Sequence, residues 1–106
     1  MSSCKIFVEV SKIIPDSAAN IFNEIVTKRL ETEGEKIPVV VIESKQVEPA
    51  GCYIEILCNR TPHRTHEVIQ SMAIELDNTA RRIFQIDEPI GVRIQMVDDD
   101  FLSSIN

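Results

Sequence analysis

The feature that most constrains this chain is a pattern that occurs twice. Cys4, Ile6, Val8 and Val10 alternate with Lys5, Phe7 and Glu9, and a shift of 48 residues sets Cys52, Ile54, Ile56 and Cys58 on the same positions, alternating with Tyr53, Glu55 and Leu57. A period of two sends successive side chains to opposite faces, so each run reads as a strand with one apolar and one mixed face. Each is followed by a proline, Pro15 or Pro62, and then by apolar residues at helical spacing. A repeat this short arises by chance as well as by duplication, and either origin predicts the same order of elements.

Asp16 and Ser17, both good N-cap types, stand before Ile21, Phe22, Ile25, Val26 and Leu30, which share one helix face; Gly34 is the expected stop. Val39, Val40, Val41 and Ile42 are consecutive β-branched residues, as expected for a strand covered on both faces. The stretch from Glu43 to Gly51 is a polar connection. Thr61 as N-cap and Pro62 at the first helical position are expected to open the second helix, whose stripe is Ile69, Met72, Ala73, Leu76, Ala80, Ile83 and Phe84. Arg81 and Arg82 suit the negative end of that helix. After Pro89 and Gly91, Val92, Ile94 and Met96 alternate with Arg93, Gln95 and Val97, and the chain leaves through Asp98, Asp99 and Asp100. The order is βαββαβ. Each half is long enough for the right-handed crossover that joins parallel strands, which predicts an α+β fold, a four-stranded mixed sheet with both helices on one face.

At 106 residues the chain is expected to be a single domain over 1–106. Its 43% hydrophobic and 26% charged content is that of a chain that folds. A net charge of −6 repels a phosphate backbone, so nucleic acid is not an expected partner. No apolar run approaches the length of a membrane span, and Lys5 and Glu9 flank a short strand where a leader would have its apolar stretch. Three cysteines without a CxxC spacing fit a reducing cytoplasm. No cofactor or metal is expected: His63, His66 and Glu67 lack further ligands, and three consecutive aspartates do not converge by themselves. Opposite the helices, Phe7, Tyr53, Leu57 and Val97 stand among Lys5, Glu9, Glu55, Arg93 and Gln95. Such a face is neither solvated nor core, and a second copy of the chain is the expected cover. A monomer with a few stray surface apolars is the alternative.

Pro15-Asp16 before a helix, then Gly34-x-Lys36-x-Pro38 before a run of valines, resembles the migration inhibitory factor branch of the tautomerase superfamily. Arg60-Thr61-Pro62, a helix, and then Ile86-Asp87-Glu88-Pro89-Ile90-Gly91-Val92-Arg93-Ile94 is similar to the turn, helix and strand of the small bacterial members, such as oxalocrotonate tautomerase. The resemblance covers nearly the whole chain, although caps and strand starts in many folds use these residue types. It implies a homotrimer whose three sheets form a closed inner barrel. It also implies an isomerase that moves a proton in a small keto or enol acid, with a non-catalytic trimeric binding or structural module of the same fold as the alternative.

Members of this superfamily work through an amino-terminal proline whose burial keeps the amine uncharged, so that it serves as a base at neutral pH. Here the run is Met1-Ser2-Ser3-Cys4, and the strand start falls on Cys4 or Lys5. Two catalytic stand-ins are expected. Loss of Met1 would free the amine of Ser2, a type of group whose unperturbed pKa is roughly 7.7 to 8.0. The Cys4 thiolate is a base or nucleophile if a cation lowers its pKa, although burial is the commoner fate of a strand cysteine. Lys36 falls where the resembled branch has a lysine that meets substrate, and Arg93 projects opposite the helices. Both are expected to bind a small anionic molecule through a carboxylate or enolate oxygen. The plainer readings are a solvated Lys36 and an ion pair of Arg93 with Glu9 or Glu55. A ferredoxin-like fold shares the order of elements, and strand pairing separates the two: parallel pairing of the first two strands fits a tautomerase, antiparallel neighbours a ferredoxin-like sheet.

Overall fold

The computed structural model describes residues 2–31 and 36–98. Its elements follow the expected order: β1 (Ser3–Glu9), α1 (Ala18–Leu30), β2 (Val39–Ser44), β3 (Cys52–Asn59), α2 (His66–Ile83) and β4 (Gly91–Val97). The strands form one sheet in the order β2-β1-β3-β4. Within each half the pairing is parallel, β1 with β2 and β3 with β4, and the halves meet through the antiparallel pair β1 and β3. The parallel β1–β2 pair excludes the ferredoxin-like alternative.

The alternation sorts the faces as expected. Ile6, Val8, Ile54, Ile56 and all three cysteines lie beneath the helices, packed with Phe22, Val26 and Leu30 of α1 and Met72, Leu76 and Ala80 of α2. The Phe22 and Phe84 rings stack across the two halves with centroids 5.9 Å apart. Burying a large apolar side chain stabilises the fold by roughly 1.5 to 3 kcal/mol, so this layer dominates its stability.

Three local expectations differ. Helix α1 ends at Leu30, where Glu31 takes a left-handed conformation, φ 50°, and its N–H reaches the Thr27 carbonyl. Gly34, the expected stop, lies outside the described residues, as do Met1, Asp99 and Asp100. Helix α2 starts at His66, capped by Thr65, whose Oγ1 accepts from the Val68 N–H. Thr61 and Pro62 instead form a preceding turn, closed by the Arg64 N–H on the Thr61 carbonyl.

Arg64 ties these two places together. Its buried guanidinium donates from Nη1 to the Asn59 carbonyl at 2.7 Å and from Nη2 to the Leu30 carbonyl at 3.2 Å. His63 Nε2 meets the same Leu30 oxygen at 3.0 Å, so His63 and His66 do not share a helix turn. These side chains occupy a carbonyl that the end of α1 leaves without a helical partner. Finally, Val40 is 48% exposed, because β2 is an edge strand with helices over only one of its faces.

Candidate functional site

One end of the sheet gathers the start of β1 and the approach to β2. The Cys4 N–H donates to the Pro38 carbonyl at 2.9 Å, and Asn23 Nδ2 of α1 donates to the Ile37 carbonyl at 2.8 Å. Lys36, directly before this pinned segment, is exposed. The backbone thus brings Ser2, Cys4 and Lys36 to one end of the sheet, but their side chains part. Ser2 and Cys4 share the inward parity of Ile6, and each is only 1% exposed.

Burial pushes the Cys4 thiol up to about 12. Cys52 is pushed up to about 12 by burial and by the Asp77 carboxylate, and Cys58 is raised by burial against the opposing pull of Arg64 and Arg60. Burial of this kind favours the thiol over the thiolate, and the Cys4 side chain lies inside the core.

The open face shows a different arrangement. Across the strands Lys5 faces Glu55, which faces Arg93; Phe7 faces Tyr53, which faces Gly91; Ser3 faces Leu57, which faces Gln95. The Phe7 and Tyr53 rings stack at 6.1 Å. Tyr53 lies over Gly91, where a Cβ would come within 3.1 Å of its ring. Tyr53 Oη donates to Glu55 Oε2 at 3.2 Å. The expected ion pair of Arg93 with Glu9 or Glu55 is not formed: among the described residues neither Arg93 nor Lys5 has a carboxylate at ion-pair distance. A cleft of about 230 Å³ lies here, lined by Ser3, Lys5, Glu55, Leu57, Arg93 and Gln95. Of the two cations expected to bind an anion, Arg93 lines this cleft and Lys36 does not.

Sequence reasoning missed Ser3, Lys5 and Gln95 as partners of Arg93. Parity alone placed them on the same face, but their grouping needs the cross-strand register.

No protein-family model matches the sequence, and no curated protein does. Solved structures match in fold and hardly at all in sequence. Macrophage migration inhibitory factor of Toxoplasma gondii has a TM-score of 0.71 at 16% identity, covering 91% of this chain and 90% of that one. The migration inhibitory factor-like protein of Entamoeba histolytica has a TM-score of 0.73 at 9% identity, covering 93% and 90%. A fused 4-OT, a wild-type symmetric trimer, has a TM-score of 0.69 at 11% identity, covering 91% and 85%. The chain has the tautomerase-superfamily fold.

The first proline in the sequence is Pro15, beyond the end of β1. Among the described residues no group of three or more His, Cys, Asp and Glu side chains is placed to hold a metal. None of their helices is long and apolar enough to cross a membrane.

Proposed function

We propose that this tautomerase-superfamily-like chain assembles with copies of itself through its open sheet face, and that the assembly is a binding or structural module in the cytoplasm. The observation that carries this reading is that face: Phe7, Tyr53, Leu57, Ile42 and Val40 lie on strands whose other side is already closed by helices, and Val40 remains 48% exposed. A likeness to a symmetric trimer supports a homotrimer as the form of assembly. The burial of Cys4, with a thiol pushed up to about 12, supports a module without thiolate catalysis, since a general base must be deprotonated near its working pH. Sedimentation at micromolar concentration is expected to show a trimer, and a monomer there would sink the reading.

A second reading is favoured by exposed Lys36 beside the start of β1. In it the chain is an isomerase of a small keto or enol acid, with the amine of Ser2 as proton carrier and Lys36 or Arg93 as anion clamp. Enol-to-keto conversion of phenylpyruvate decides between the two. A rate above buffer that falls in Lys36→Ala supports the isomerase, and no rate above buffer supports the module.

A further inference from the structure

The outer side of α2 has an order that packing against the sheet does not explain. Met72, Leu76 and Ala80 are buried beneath the helix, while Glu67, Gln70, Ser71, Ile74, Asn78 and Arg82, at helical spacing, are exposed on the side turned away from the sheet. A single exposed isoleucine needs no partner, but Ile74, at 54% exposure, has particular surroundings. Glu67 stands seven residues before it and Arg82 eight after it, and among the described residues neither charge has an ion-pair partner. Gln70 and Asn78, each four residues from Ile74, place side-chain amides at matching distances on either side. A shallow cleft of about 400 Å³ opens beside Ile74, lined by Arg29, Ser71, Glu75 and Asn78. Arg29 Nε donates to Glu75 Oε1 at 2.7 Å, so the charges of its wall cancel.

A stripe that is acidic at one end, basic at the other and apolar in the middle is its own complement. Turned about a two-fold axis at Ile74, it sets Glu67 of one copy beside Arg82 of the other, and does so twice. The same rotation faces Gln70 with Asn78 and brings each Ile74 to the mouth of the other copy's cleft. A net charge of −6 keeps copies apart where the surface charge is unbalanced, whereas this stripe is neutral.

We propose that two copies of this chain pair through α2 in an antiparallel two-fold contact centred on Ile74. The surface lies across the molecule from the open sheet face, so the contact goes beyond the self-assembly proposed there and does not depend on it. Helix α2, 18 residues and so about 27 Å long and about 10 Å wide, cannot cover the roughly 800 Å² per partner of a standard interface, and the contact is therefore weak, with a Kd of about 0.1 to 1 mM.

The test is sedimentation equilibrium of the full chain at about 10 μM and about 1 mM, on either side of that Kd. The species present at the lower concentration is expected to associate further at the higher one. Ile74→Gln should abolish this further association. Glu67→Arg and Arg82→Glu should each weaken it about fivefold or more, because each sets like charges side by side twice, and the double variant should restore it. All three positions are exposed, and circular dichroism checks that the variants fold. No further association, association that survives Ile74→Gln, or a double variant as weak as the single ones would each overturn the proposal. A monomer at the lower concentration that pairs at the higher one would overturn open-face assembly and leave the α2 contact, whereas a trimer that stays a trimer would do the reverse.

Discussion

The two faces of β1 and β3 are made by the same residues in alternation, yet they live in different chemical worlds. Beneath the helices Cys4, Ile6, Cys52, Ile54 and Cys58 are closed off, and the thiols there are pushed up in pKa. On the other side Lys5 and Arg93 keep their charges exposed around a cleft, with Phe7 and Tyr53 stacked beside them. A reactive residue type is therefore no guide to function without its parity. Cysteine, the most nucleophilic type in the chain, fell on the side where it packs, and the groups able to meet a ligand fell on the side that no helix covers.

The hardest test of this contrast is truncation on each face. Ile54→Ala removes a fully buried side chain between the helices and the sheet and is expected to cost about 2 to 5 kcal/mol in urea unfolding. Leu57→Ala, three residues along the same strand and half-buried, is expected to cost about 1 kcal/mol or less in a single chain and more once copies cover it. Equal losses at high dilution would break the distinction between the faces.

The thiols provide the next test. An unfolded cysteine loses its proton near pH 9, whereas folded Cys4 and Cys52 hold theirs to about 12. The folded state then binds more protons than the unfolded state inside that window, so the stability these thiols contribute is present below about pH 9 and is lost as pH rises toward 12. Each thiol adds a slope of about 1.4 kcal/mol per pH unit there. Cys4→Ala is expected to be less stable at neutral pH and to show a shallower decline between pH 9.5 and 11, a range set by the same titration, at roughly one proton fewer. An unchanged slope would mean that the Cys4 thiol is open to solvent.

The smallest effect is expected at Gly91. A Cβ there meets the Tyr53 ring at 3.1 Å, so Gly91→Ala should shift the ring and alter the near-ultraviolet tyrosine signal at a cost of about 1 kcal/mol or less. An unaltered signal would show that the ring does not rest on Gly91.

Much of this was legible in the residues. The alternation of Ile6, Val8, Ile54 and Ile56 marked the inward faces, and the apolar spacing of Phe22, Val26, Met72 and Leu76 marked the helix stripes. The same alternation already set Cys4 with Ile6 and Val8, so its burial followed from its parity. The start of α2 was harder to read. Thr61-Pro62 and Thr65 are both competent openings, and the choice fell to Thr65 because Arg64 reaches back to the carbonyls of Leu30 and Asn59, 34 and 5 residues away.

By itself the sequence determined which residues form strands and helices, the order of those elements and the face each strand residue takes. These follow from periods of two and 3.6, which are local properties of the backbone. Only the tertiary structure decided that β1 pairs parallel with β2 and antiparallel with β3, that Lys5, Glu55 and Arg93 form one row, and that Tyr53 takes the Glu55 carboxylate. The row joins residues from three strands far apart in sequence. It exists only through the pairing of β1 with β3 and of β3 with β4, which no single strand's local pattern encodes.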